Sequence, residues 1–110
     1  MRHFVIDQLS REERENIHGY LKRTLQAGAI EGMYWLSVPD DLLGSAQRGH
    51  APCGPFYFAV EVEEKRVVFE LLVRSKSNLH CSCISYADRP QREFLLNYID
   101  RLVEEERITA

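Results

Sequence analysis

The sequence predicts an α+β fold, an antiparallel sheet of three to four strands with an N-terminal and a C-terminal helix on one face. Three observations predict it. Residues 56–73 hold two runs that alternate with a period of two. Residues 17–25 and 94–103 carry apolar side chains at helical spacing. The element order reads helix, strand, long loop, three strands, helix, which suits helices gathered on one side of an antiparallel sheet. With 110 residues, one domain spans positions 1–110.

Residues 3–7 read as a short strand. Ser10 is an N-cap and Glu13 completes a capping box. Ile17, Tyr20, Leu21, Thr24 and Leu25 share one helix face. Gly28 suits the position just past the end, so the first helix is expected over 11–27. Gly19 inside it reads either as a tolerated small residue or as a point of close backbone approach.

Met33 to Val38 is apolar on both faces and rich in aromatics, as in a buried strand, and Pro39 ends it. From Pro39 to Pro55 no period holds. Asp40 suits a cap for one helical turn through Leu43. Loops this long in compact domains are functional or disordered, and Leu42, Leu43 and Cys53 favour an ordered one.

Phe56, Phe58, Val60 and Val62 then alternate against Tyr57, Ala59 and Glu61. Val67, Phe69, Leu71 and Val73 alternate against Val68, Glu70, Leu72 and Arg74. Pairing Val62 with Val67 sets Val60 against Phe69, Phe58 against Leu71 and Phe56 against Val73. Glu63 falls opposite Arg66, a favourable charge pair. Leu79 to Tyr86 alternates as a third strand of this meander. Either His80, Ser82, Ile84 and Tyr86 or the cysteine set turns inward, depending on the length of the preceding turn. Asp88 caps the last helix, with Pro90 in its first turn and Gln91 at the capping-box position. Phe94, Leu95, Tyr98, Ile99, Leu102 and Val103 form its stripe. Glu104, Glu105 and Glu106 oppose the helix dipole, so fraying is expected there.

Composition bounds the function. Hydrophobic residues are 45% and charged residues 28%, the balance of a folded domain. No apolar run is long enough to span a membrane, and the N-terminus lacks a signal-peptide pattern. A cytoplasmic location is expected. A net charge of −3 argues against general nucleic-acid binding. Three cysteines leave at least one thiol free and argue against a disulfide framework.

Two readings of function follow. In the first, the chain is a small non-catalytic binding or regulatory module. It self-associates as a homodimer or docks a protein partner through the 39–55 loop, which carries Arg48, and the outer sheet face. That face holds Tyr57, Val68 and Leu72, more apolar area than a solvated face needs. In the second, His50, Cys53, Cys81 and Cys83 bind zinc, since imidazole and thiolate are its preferred donors. His80 belongs to the same constellation by composition. The Cys-x-Cys pair faces one side of a strand, where two sulfurs converge only with a bulge. The competing explanation is core cysteine packing as a small hydrophobe. Cys53 with His50 or His80 as base is a further thiol reading. Glu61 and Glu70 form a diagonal carboxylate pair on the outer face, read first as solvated. His3 and His18 read as surface residues.

Overall fold

Six strands form one antiparallel sheet in a computed structural model that describes residues 1–110. In chain order the elements are β1 (His3–Ile6), α1 (Arg11–Thr24), β2 (Gln26–Ala27), β3 (Met33–Ser37), β4 (Phe56–Val62), β5 (Val67–Ser75), β6 (Ser85–Tyr86) and α2 (Arg89–Glu105). The strand order is β1-β5-β4-β3-β2, and β6 shares the β1 edge of β5. Both share it because β1 covers Val67 to Glu70 and β6 covers Leu72 and Val73. The sheet has six strands where three to four were expected: the two-residue β2 is too short to show a period, and β6 is what remains of the strand expected over Leu79 to Tyr86.

Both capping boxes form as the residues dictate. Ser10 accepts from the Glu13 N–H and the Glu13 carboxylate accepts from the Ser10 N–H. Asp88 and Gln91 do the same for α2. The first helix stops at Thr24, three residues short of the expectation, because Leu25 turns extended and Gln26 and Ala27 pair with Trp35 and Tyr34. Sheet hydrogen bonds there replace the last helical turn. The expected fraying of α2 meets an opposing motif. Ile108 N–H bonds Val103 O across 3.0 Å and Arg107 N–H bonds Glu104 O across 3.3 Å, with Arg107 at φ 52°. This is a Schellman ending, and buried Ile108 anchors it.

The hairpin register holds near the turn and slips further along. Val62 pairs with Val67 and Val60 with Phe69, as the alternation requires. Phe58 then pairs with Val73 and Phe56 with Ser75, because an irregularity falls between Phe58 and Val60. The slip is two residues, so every side chain keeps its face. The Arg66 guanidinium meets the Glu63 carboxylate at 2.6 Å.

One apolar cluster joins α1 (Ile17, Tyr20, Leu21), α2 (Leu95, Tyr98, Ile99, Leu102) and the inner sheet residues Phe58, Val60, Val67, Phe69 and Val73. The helices also touch directly: the Thr24 and Tyr98 hydroxyls lie 2.6 Å apart. Gly19 is the tolerated small residue, since a Cβ there would meet only the Arg23 guanidinium, at 3.6 Å. His18 is not simply a surface residue; its Nε2 lies 2.7 Å from the Tyr34 hydroxyl.

Candidate metal centre

Residues 79–84 do not continue the meander. They fold back in turns, and only Ser85 and Tyr86 pair with β5. Asn78 directs the reversal: its side-chain oxygen accepts the His80 N–H at 3.1 Å, and its own N–H bonds the Ser75 hydroxyl at 3.0 Å. The Ile84 N–H then bonds Cys81 O at 3.1 Å. The objection that a flat strand holds Cys81 and Cys83 apart therefore falls away. They sit on a turn, where their sulfurs converge.

The second half of the site comes from the 39–55 loop. Ala51–Cys53 is one turn of 3₁₀ helix, and the Cys53 N–H bonds His50 O at 2.8 Å. That turn places the His50 ring and the Cys53 sulfur together. The two loops are stitched by hydroxyls. Ser75 donates to Cys53 O, and the Ser77 hydroxyl lies 3.0 Å from Pro52 O and 3.2 Å from Gly54 O.

The ligand atoms of His50, Cys53, Cys81 and Cys83 all lie within 4.8 Å of one another. The Cys53 and Cys81 sulfurs are 3.2 Å apart, and His50 Nδ1 is 3.3 Å from the Cys81 sulfur. Around tetrahedral zinc, sulfurs stand about 3.8 Å apart and sulfur and imidazole nitrogen about 3.6 Å. The sulfur–nitrogen edge is thus about 0.3 Å shorter than in such a site and the sulfur–sulfur edge about 0.6 Å shorter, so modest outward movement would admit the ion. Three sulfurs and one nitrogen suit zinc before a hard cation such as magnesium or calcium.

The sulfurs are not equivalent. Cys83 is fully buried, while Cys53 and Cys81 are half-buried. Cys81 is drawn down to about 6, first by hydrogen bonding from the Cys83 side chain, then by the Cys83 backbone N–H and the Cys53 thiol. That N–H lies 3.4 Å from the Cys81 sulfur. Burial pushes Cys83 up to about 12. Cys53 is raised, chiefly because its thiol donates to Cys81.

A buried amide pair holds the site from behind. Gln47, 2% exposed, donates to Cys83 O at 2.8 Å and accepts the Gly44 N–H at 2.9 Å. Gln91 donates to Gln47 and to Leu42 O, both at 3.0 Å. Sequence reasoning missed Gln47 altogether and saw in Gln91 only the helix cap. A glutamine in an aperiodic loop carries no signal that it is buried.

Other candidate residues fall elsewhere. His80 is exposed and outside the cluster. His50 meets Cys81 and not Cys53, so the expected base for a Cys53 nucleophile belongs to a different sulfur. Glu70 is engaged by Arg74 at 2.8 Å, and Glu61 lies diagonal to it across the β4–β5 pairing. Arg48 is exposed in the turn before His50. Tyr57 and Val68 are 7% and 8% exposed, and Leu72 is half-buried. Trp35 stacks on Tyr57 at 4.8 Å, and Lys76 lies over Trp35 at 4.1 Å. Tyr57 and Val68 are therefore mostly covered by the chain's own side chains, while Trp35 and Leu72 on the same face stay half-buried. No helix is long and apolar enough to cross a membrane.

No protein-family model, curated protein or solved structure matches the chain. Fold and site define a class: a small α+β protein with a candidate His-Cys₃ metal centre between two loops.

Proposed function

We propose that this protein is a non-catalytic module whose two long loops are stapled by one structural zinc ion bound to His50, Cys53, Cys81 and Cys83. The single observation that carries this reading is the convergence of four donor atoms within 4.8 Å, from two loops. Four protein donors close a tetrahedral site and leave no position for substrate, the signature of a structural rather than a catalytic ion. Zinc would also neutralise the charge of several thiolates at once.

The energetic role follows from the loops. Residues 39–55 and 76–84 contain short turns but no long helix or strand. Their order rests on buried amides, hydroxyl stitches and a few apolar contacts. A metal that binds only the folded arrangement adds its binding free energy to folding. Docking or regulation would then use the loop surface that the ion shapes.

Metal analysis of the purified chain, with thiol titration, tests the reading. One zinc per chain is expected, with the thiols slow to react with a thiol-titrating reagent until a chelator is added and a lower melting temperature once the metal is removed. Cobalt substitution should give the visible bands of tetrahedral thiolate coordination. Metal-free protein whose melting temperature is unmoved by added zinc would overturn it.

A further inference from the structure

We infer that the site is redox-regulated: hydrogen peroxide joins Cys53 to Cys81 as a disulfide and so expels the metal. The inference rests on the zinc reading for metal release, while the disulfide pairing rests on the sulfur geometry alone.

Cys53 and Cys81 have sulfurs 3.2 Å apart, and both residues are half-exposed. A disulfide needs about 2.05 Å, so the sulfurs must close by only about 1.1 Å. Cys83 is the poorer partner. It is fully buried, and its backbone carbonyl is held by Gln47. A Cys81–Cys83 bond would also close a very small ring across one intervening residue. Whichever of Cys53 and Cys81 is struck by peroxide, the other stands next to it.

The chemistry balances without a further reagent. A thiolate sulfur attacks one peroxide oxygen, the O–O bond breaks, and hydroxide leaves and is protonated to water. The resulting sulfenic acid is attacked at sulfur by the second thiolate. The S–S bond forms, the S–O bond breaks, and a second hydroxide leaves as water. Two thiolates, one peroxide and two protons become one disulfide and two waters. The cluster is left with His50 and Cys83, too few donors to hold zinc. Reduction by a dithiol restores both sulfurs and the site.

The test treats the full chain with hydrogen peroxide in two arms, zinc-loaded and metal-free. Zinc release is followed with a chromophoric chelator, and the cysteines are mapped by non-reducing digestion and mass spectrometry. In the zinc arm, one zinc released per disulfide is expected, with free thiols falling from three to one and recovery after dithiothreitol and zinc. In the metal-free arm, the peptide containing Cys53 should be joined to that containing Cys81. A disulfide that includes Cys83, or sulfinic acid without a disulfide, would overturn the pairing in either arm. Cys53–Cys81 bonding in the metal-free arm with no zinc bound in the other would defeat the zinc reading and the switch, and leave the pairing standing. Zinc retained after the disulfide has formed would overturn the switch alone.

Discussion

Gln47 donates its side-chain amide to the carbonyl oxygen of Cys83 across 2.8 Å, and both residues are shut off from solvent. One buried amide thus ties the turn carrying Cys83 to the loop carrying His50 and Cys53, and through Gln91 to the start of α2. Fold stability and site geometry share a part.

Replacing Gln47 with methionine keeps much of the volume and removes this pairing. The Gly44 N–H and the Cys83 carbonyl lose their partner in a dry environment. A cost of about 1–3 kcal/mol is expected, as for buried polar groups left unmade. Urea denaturation measures it. Competition against a chromophoric chelator should show zinc affinity weakened by roughly 10–100-fold, the usual range for a group that supports a ligand. Unchanged affinity would show that Gln47 serves the fold only.

Phe4 and Phe69 are cross-strand partners on the same face, yet they differ in burial. Phe69 is fully buried, whereas Phe4 on the edge strand is 38% exposed. Phe69→Ala should cost about 3–5 kcal/mol, as core truncations do. Phe4→Ala should cost about 1 kcal/mol, because less area leaves the core. Equal losses in chemical denaturation would mean that β1 is bound more tightly than its exposure implies.

Two glycine-to-alanine changes should act in opposite directions. At Gly19 the new Cβ meets only a flexible guanidinium, so the helix gains up to about 1 kcal/mol. At Gly44 it would stand 2.7 Å from the Asp88 carboxylate, with Gln47 at 3.2 Å and Gln91 at 3.3 Å. That carboxylate caps α2, and displacing it should cost about 1–2 kcal/mol. Thermal melts of the two variants beside the parent read both signs.

His18 gives the fold a pH dependence of known sign. Burial holds its imidazolium below the ordinary range, Lys22 and Arg14 push the same way, and Glu31 opposes them. The folded state therefore binds this proton less readily than the unfolded chain. The contribution is fully present above about pH 6.5 and is lost as the pH falls through the folded value. His18→Gln keeps a polar partner for Tyr34 and removes the proton. Between pH 7.5 and 5 the parent should lose more stability than the variant in urea denaturation. Parallel profiles would show that another group sets the slope.

Much of the architecture was legible because it is local. Ser10 with Glu13, and Asp88 with Gln91, announce both helix starts within four residues. The alternation around Glu63 to Arg66 announces the hairpin and its near register. The misreadings share a cause as well. Leu79 to Ile84 alternates by residue type, but the Asn78 side chain accepts the His80 N–H and turns the chain there. Trp35 roofs Tyr57 by a cross-strand contact that neither residue reveals in its own strand.

By itself the sequence determined the α+β class, both capped helices, the paired runs of β4 and β5, and four residues of the two types suited to zinc. Those follow from side-chain period and capping chemistry over a few positions. Only the tertiary structure decided that His50 meets Cys81 across 31 positions, that β2 joins the sheet edge, and that Trp35 packs on Tyr57. Loop convergence and face coverage depend on which distant segments become neighbours, and no local periodicity encodes that choice.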